Sequence, residues 1–575
     1  MADKIYRVDM TALKATIEDV PEEWIGIGGR GLTSTVVAKE VKPTCHPLGK
    51  YNKLVFAPGM LSGTSCANSG RFSAGAKSPL TKGIKEASAG GTACVSLVKL
   101  GVKAIIIEGM PEKEGYFGIH IDKAGITIKE ETELVGKGNY ESIKTLMARL
   151  GDKIGVIIIG PAGEMRLSAA NISVRDPQGN IRSFGRGGLG AVMGAKKIKF
   201  ISIDDTDAPG TDLVDKQKFM DAGKTFAKLL SSHPLAQGLK AYSTNIMINI
   251  LNEAGALPTK DFRYGQYEEH EKVSGETMAE IIKSRNGKPS HACHRGCVIQ
   301  CSQVFNDKDE NYVTSGFEYE TIWGLSAHSG ISDMDINAQA DRIMDDVGID
   351  SIEGVQAIGL AVEAGLIEYG DAEGALRLLR EIGEGTPLGR IIGSGAAQFG
   401  QIYGLTRVAA TKGQAFAAYD PRSIKGLGIT LATSPMGADH TAGYAVAQNI
   451  LKLGTFVDPL KKDGQVDLSR QMQIITAWLD CTGLCEFVLL AMAEHMDVMV
   501  PNVVDMLNAR HGSSLTMEDL NNIGVKVLKT EHEFNLAAGF NSAHDRLPEF
   551  FEEALPPHNT TWDFTEEEID AFWNF

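Results

Sequence analysis

Thiols and imidazoles crowd one stretch of the 575-residue chain, SHACHRGCVIQC at 290–301. Three residues separate Cys293 from Cys297 and Cys297 from Cys301, with His291 and His294 among them. The chain has eight cysteines, too few for a disulfide scaffold. Five of them fall in two tight groups, 293–301 and 481–485, which in a cytosolic chain points to metal or redox chemistry. Zinc would take four tetrahedral Cys or His ligands, which His291 and His294 keep open. A radical adenosylmethionine site would need CxxxCxxC, but the second gap here is also three residues. A [4Fe–4S] cluster takes four thiolates, commonly three close together and one remote, and Cys485 or Cys481 can supply the fourth.

Other reactive side chains stand apart from the thiols. GFEYETIWG sets Glu318 and Glu320 on either side of Tyr319. In a strand or extended loop both carboxylates would face one way; otherwise they form a surface acidic pair. GADHTAG places His440 among small residues, where little competes for its ring. SFGRGGLGAVMGAKKIK, 183–199, offers exposed N–H groups and Arg186 to phosphates, or is a turn-rich connection. GIGGRG, 26–31, fits GxGxxG, but EDVPEEW precedes it instead of an apolar strand, so a backbone turn is the expectation.

The elements that must position these groups divide the chain. KLVFAPG, VKAIIIEG, YFGIHI, GITIKEE, KIGVIIIGPAG and KIKFISI read as strands bounded by Gly, Pro or charge. Regular alternation with helices is missing, so a doubly wound sheet is not expected. After about residue 210, DKQKFMDAGKTFAKLLSSH, INAQADRIMDDVG, AEGALRLLREIGEG and LSRQMQIITAWLD carry helical periodicity. The expected class is α+β: a β-rich domain over 1–208, then mainly helical domains over 209–412 and 413–575. The last begins in a loop-like, glycine-rich stretch running to about residue 445. One repeat stands out within the helices. Asp345-x-x-Gly348-Ile349-Asp350 and Asp480-x-x-Gly483-Leu484-Cys485 each read as helix, glycine turn, helix start. A helix N-terminus offers free N–H groups and an Asp adds an acceptor, so the pair fits two equivalent heterocycle sites, or two capped connections.

Charge sets further limits. Lys and Arg number 57 against 73 Asp and Glu, a formal net of 57 − 73 = −16, which disfavours nucleic acid. No apolar run is long enough for a bilayer span, so no membrane partner is expected. MADKIYRVDM lacks the apolar core of a secretory signal, and a cytoplasmic location is the expectation.

Taken together, the two DxxG[IL]x turns, the cysteine triplet with a remote cysteine inside the second turn, EYET, GADH and GRGGLGAVMGAKK resemble the tungsten-containing aldehyde:ferredoxin oxidoreductase family over essentially the whole chain. The resemblance implies a β-rich base under two helical domains. Between them it implies tungsten, or molybdenum, held by two pyranopterins, each gripped by one turn: Asp345, Gly348, Ile349 and Asp350; Asp480, Gly483, Leu484 and Cys485. Mg2+ would bridge the pterin phosphates through carbonyls around Ser88, where the family often has Asn, and in the 183–188 loop with Gly185 and Arg186. Cys293, Cys297, Cys301 and Cys485 would hold a [4Fe–4S] cluster. CHRGC places three residues between the first pair where the best-known family pattern has two. Cys481 would be structural, and Arg71 would lie between cluster and pterin. Glu320 would be the acid/base with Tyr319 beside it, His440 would hydrogen-bond a tungsten oxygen or the substrate oxygen, and Ser351 would lie near the metal. The implied reaction is aldehyde oxidation, with electrons passing to ferredoxin or to an iron–sulfur or flavin partner subunit, in a homo- or hetero-oligomer. Two alternatives stand beside it: reduction of aromatic acyl-CoA or carboxylic acids in a larger complex, and a zinc-stabilised binding protein without catalysis.

Overall fold

A computed structural model describes residues 3–575; Met1 and Ala2, the start of the N-terminal segment, lie outside the described residues. The apolar runs of the first 205 residues all form strands, and six more strands join them. Lys4–Asp9 (β1), Lys14–Asp19 (β2), Leu54–Pro58 (β3), Phe72–Lys77 (β4), Ile84–Ala89 (β5) and Val102–Glu108 (β6) make one sheet in the order β2-β1-β6-β3-β4-β5. Tyr116–Asp122 (β7), Gly125–Glu131 (β8), Gly155–Ile158 (β9), Ile172–Arg175 (β10), Ile181–Phe184 (β11) and Ile198–Ile203 (β12) make another in the order β8-β7-β12-β9-β10-β11. Adding six to each label of the first order yields the second. Only β1–β6 and β7–β12 are parallel. Helices Gly29–Glu40 (α1) and Asn139–Leu150 (α3) follow the second strand of each sheet, and Ala93–Lys99 (α2) and Leu189–Ala195 (α4) follow the fifth. The base is therefore a structural duplication, with β3 and β12 wholly buried and Phe72 of β4 packed edge-on against Phe184 of β11 at 4.7 Å.

Strand register fixes which residues correspond across the two halves. Phe72 pairs Ala89 where Ile172 pairs Phe184, so Arg71 corresponds to Asn171 and Ser88 to Ser183. The GIGGRG segment opens α1 after a 3-10 turn, Glu22–Trp24, and not directly after a strand.

Helices dominate after residue 216, with two departures from expectation. A three-stranded antiparallel sheet, Lys288–His291, Ser302–Asn306 and Tyr312–Ser315, carries the cysteine triplet between its first two strands. The glycine-rich stretch holds a fully buried helix, Lys425–Thr433. Its small residues allow close packing: a Cβ on Gly428 would meet the Trp562 ring at 2.3 Å.

Both DxxG turns take the expected form. Helix Met334–Val347 ends on Gly348 at φ 77°, a left-handed cap that glycine adopts at least cost, and Asp350 caps Ser351–Glu363 through Ile352 and Glu353 N–H. Helix Gln465–Thr482 ends on Gly483 at φ 81° and leads to Val488–Glu494. Each turn rests on one half of the base. Asn171 N–H donates to Gly348 O at 2.9 Å and Arg71 N–H to Gly483 O at 3.2 Å. The approach is closest at Gly59, just beyond β3, where a Cβ would sit 2.1 Å from Gly483 N.

Candidate active site

The duplicated base and the two turns enclose a cavity of about 430 Å³. Asp345 and Asp480 reach it from the helix ends, and Arg71, Ser88, Gly185, Arg186, Ile349, Asp350 and Ser351 line it too. Gly348, Gly483 and Leu484 are absent from its wall; they shape the turns behind it. Asp350 is spent on its cap and on Arg186 Nε, 3.2 Å away. Arg186 is committed in turn, donating to the Ala438 and Ala415 carbonyls. The expectation that its guanidinium waits for phosphate is therefore corrected: neighbouring acceptors already fill its fork. Gly185 behaves otherwise, since a Cβ there would meet nothing within 4 Å.

The four cysteines of the expected cluster share one neighbourhood, with Cys293, Cys297, Cys301 and Cys485 close enough to perturb one another electrostatically. Asn68 ties their two segments together. Its Oδ1 accepts from Val298 N–H at 2.9 Å, its Nδ2 reaches Cys297 Sγ at 3.7 Å, and its carbonyl accepts from Cys485 N–H at 2.8 Å. Cys481 lies elsewhere, buried against α1, with its Sγ 2.8 Å from where a Gly31 Cβ would be. Burial pushes the Cys485 thiol up to about 11, while Arg71 works in the opposite direction. Arg71 donates to Ser88 Oγ at 3.1 Å and to Ser88 O at 2.7 Å, so it joins the thiol group to the floor of the cavity.

The histidines of the triplet segment do not complete a zinc site. His291 Nε2 is 2.7 Å from Asp176 Oδ2, and His294 packs its ring on Gly70, where a Cβ would lie 2.3 Å from the ring. His294 Nδ1 does reach Cys293 Sγ at 3.2 Å. Among the described residues no three His, Cys, Asp or Glu side chains converge enough to hold a metal ion. A four-iron cluster asks less convergence, because each thiolate binds its own iron.

A polar group on the other side of the cavity joins Glu320 to His440. Nε2 of His440 lies 3.2 Å from Glu320 Oε1. Tyr419 OH stands 3.4 Å from the same oxygen and 3.0 Å from Tyr444 OH. Burial opposes ionisation of Glu320, but His440 and Tyr419 outweigh it and hold the carboxyl below its usual range. Glu318 goes the other way, pushed up to about 8 chiefly by burial. Lys85 positions the His440 loop by pairing with Asp439 at 2.6 Å, and Asp439 caps the 3-10 turn His440–Ala442.

Two expectations about EYET are overturned. The segment is helical, Tyr319–Leu325 with Glu318 at its N-cap, so the carboxylates do not alternate along a strand, although both line the cavity. Tyr319 is no catalytic neighbour: its hydroxyl donates to Ala418 O at 2.6 Å in the core, and its ring packs edge-on against Tyr419. Tyr419 and Tyr444 hold that place, and sequence reasoning missed both. Their only signal was position, flanking GADH within the glycine-rich stretch.

The residues present suit a large polar heterocyclic group. His440 Nδ1, Glu86 Oε1 and Glu486 Oε1 are buried polar atoms without a protein partner, all on residues lining the cavity. Buried polar groups ordinarily find partners, so these await a bound one. Two aspartates at equivalent turns supply acceptors, and open Gly185 leaves room.

Base, turns and thiol group define an oxidoreductase fold of the aldehyde oxidoreductase type. Residues 5–205 match the family model for the aldehyde ferredoxin oxidoreductase N-terminal domain, and residues 221–574 match that for domains 2 and 3. The tungsten-containing aldehyde ferredoxin oxidoreductases of Pyrococcus furiosus and Thermococcus kodakarensis are each 33% identical, over 96% of this chain and 92% of theirs. The active-site complex BamBC of benzoyl coenzyme A reductase, in complex with 1,5-dienoyl-CoA, superposes with a TM-score of 0.79 at 17% identity. It covers 99% of this chain and 93% of that one, and so shows a common fold. The chain belongs to the aldehyde ferredoxin oxidoreductase family and is an oxidoreductase. No described helix is long and apolar enough to cross a membrane.

Proposed function

We propose that the protein oxidises an aldehyde to its carboxylic acid, reversibly, and passes the electrons to ferredoxin or a partner subunit. Aldehyde and water give acid, two protons and two electrons. When bound, a tungsten bis-pyranopterin supplies the two-electron centre and a [4Fe–4S] cluster the one-electron relay. Asp345 and Asp480 would grip the two pterins, and Cys293, Cys297, Cys301 and Cys485 would hold the cluster. Carbonyls near Ser88 and in the 183–188 loop would hold Mg2+; their support is the register equivalence of Ser88 and Ser183 and the contact of β5 with β11.

The observation that carries this reading is the Glu320–His440 pair on the same cavity as both aspartates and the four thiols. Glu320, ionised, takes a proton from water or the aldehyde hydrate at Oε2, the oxygen that His440 and Tyr419 do not engage. His440 places an N–H against the substrate oxygen as charge develops there. Tyr419 and Tyr444 hold Glu320 in register through their linked hydroxyls.

The cavity wall favours a small, uncharged substrate. Leu239, Met247, Ile250, Leu451 and Leu489 supply apolar surface. The lining arginines are already partnered: Arg30 by Glu531, Arg71 by Ser88, Arg182 by Asp176 and Arg186 by Asp350. Anaerobically purified protein tests the proposal with a panel of aldehydes, read as reduction of oxidised viologen or ferredoxin, against benzoyl-CoA, read as oxidation of the reduced carrier. Reduction with an aldehyde supports it; turnover of the thioester alone refutes it.

A further inference from the structure

The duplication gives each turn the same seat but a different carboxylate partner. Arg30 and Tyr140 are both second residues of their helices, α1 and α3, after glycine N-caps Gly28 and Gly138. The residue before each meets the backbone of the facing aspartate. Asn139 Nδ2 donates to Asp345 O at 2.8 Å, and a Cβ on Gly29 would lie 2.1 Å from Asp480 O. Beyond that the halves diverge. Arg30 Nη1 donates to Asp480 Oδ2 at 3.3 Å, while its Nε and Nη2 are fixed on Glu531 at 2.9 and 2.8 Å. On the other side the Tyr140 hydroxyl donates to Asp345 Oδ2, also at 3.3 Å.

We propose that Arg30 and Tyr140 are equivalent positioning residues that make the two pterin sites unequal: Arg30 keeps Asp480 a carboxylate, whereas Tyr140 leaves Asp345 a neutral acid. This inference rests on the bis-pterin reading given under the proposed function. The remaining charges agree with it. Asp480 also faces Arg71, against Glu86, Glu486 and Glu531. Asp345 faces Asp341 and Asp346, and the cation nearby, Arg182, is spent on Asp176 and Ser315. Arg342 stacks on the Tyr140 ring at 4.1 Å and donates to Val313 O. Burial pushes Asp345 well above the carboxylate range but takes Asp480 only to about 6.

The difference has a chemical consequence. A carboxylate only accepts hydrogen bonds, so Asp480 suits an edge with two N–H donors. A neutral acid also donates, so Asp345 suits an edge presenting one donor and one ring-nitrogen acceptor. The charged site is the one beside Arg71, which also faces Cys485.

Full-length protein purified anaerobically, as wild type, Asp345→Asn and Asp480→Asn, tests this by infrared spectroscopy of protonated carboxyls and by pterin and tungsten per chain. We expect Asp345→Asn to remove a protonated-carboxyl band and keep most of its pterin, and Asp480→Asn to leave that band and lose pterin severalfold. If Asp480→Asn yields no folded protein, Arg30→Lys should keep the wild-type band, and Arg30→Met combined with Glu531→Gln, which leaves no stranded Glu531, should add intensity to it. Equal pterin loss in both aspartate variants, or an Asp345→Asn spectrum unchanged in this region, overturns the proposal. Wild-type protein without pterin would instead sink the bis-pterin reading itself.

Discussion

Nε2 of His440 lies 3.2 Å from Oε1 of Glu320, and this pair joins residues 120 positions apart at the cavity wall, 440 − 320. The imidazole does two things for the carboxyl: it overrides burial to keep Glu320 ionised, and it fixes which oxygen faces the cavity. Glu320→Gln should therefore retain metal and pterin while kcat falls by roughly 10²–10⁴-fold, the worth of a positioned acid/base group. Full aldehyde turnover by that variant would remove Glu320 from the mechanism.

The same pair sets a pH dependence. A base works when ionised, and Glu320 sits below the ordinary glutamate value of about 4.3. Activity is therefore present above that value and lost only as pH falls through the lowered one. In His440→Gln the opposing burial is left dominant, so the acid limb of kcat/KM should move up in pH. An acid limb that stays in place would show that His440 does not hold the proton balance of Glu320.

Tyr319 and Tyr419 separate packing from chemistry. Tyr319→Phe removes one buried hydrogen bond to Ala418 and should cost about 1 kcal/mol of stability with kcat little changed. Tyr419→Phe removes a hydroxyl that supports Glu320 and should lower kcat with a smaller change in Tm. A kcat loss confined to the Tyr319 variant would reverse the assignment.

The two cysteines of the second turn give a sharper contrast. Cys485→Ser should lose cluster iron, as should Cys293→Ser, whereas Cys481→Ser should keep it, because Cys481 packs on Gly31 away from the other thiols. Iron counts and the electron paramagnetic resonance spectrum of the reduced protein decide. Full iron in Cys485→Ser would send the search for the fourth ligand elsewhere.

Lys85 and Asp439 hold the His440 loop on the base. Burial pushes Asp439 up, but Lys85, with Arg186 behind it, holds the carboxyl far below its usual range. That depressed value contributes stability above the unfolded pKa of about 3.9, and the contribution fades as pH falls toward the folded one. Lys85→Met leaves a buried carboxylate unpaired and should cost about 3–5 kcal/mol, with unfolding beginning at higher pH on acidification. Denaturant melts at pH 7 and pH 5 measure both; unchanged midpoints would contradict the pairing.

Strands with strong apolar runs, such as β6 and β12, were legible in the sequence, as were the long helices and both DxxG turns. The duplication of the base was not. Half of its strands, including KATIED and FSAGAK, are polar or small, and corresponding positions such as Arg71 and Asn171 differ in side chain while sharing a backbone role. EYET misled because a seven-residue helix is too short for its period to show. Tyr419 and Asn68 escaped notice because their roles arise from contacts between distant segments. Cys485 was legible as a candidate fourth ligand, because the repeated turn marks it as the counterpart of Asp350.

The most direct test is elemental and spectroscopic analysis of the anaerobically purified chain, followed by addition of an aldehyde. The account predicts brown protein with about four iron atoms, one tungsten or molybdenum and two pterins per chain, whose cluster signal appears when aldehyde is added. Colourless protein carrying zinc on Cys293, Cys297 and Cys301, with no response to aldehyde, would contradict it.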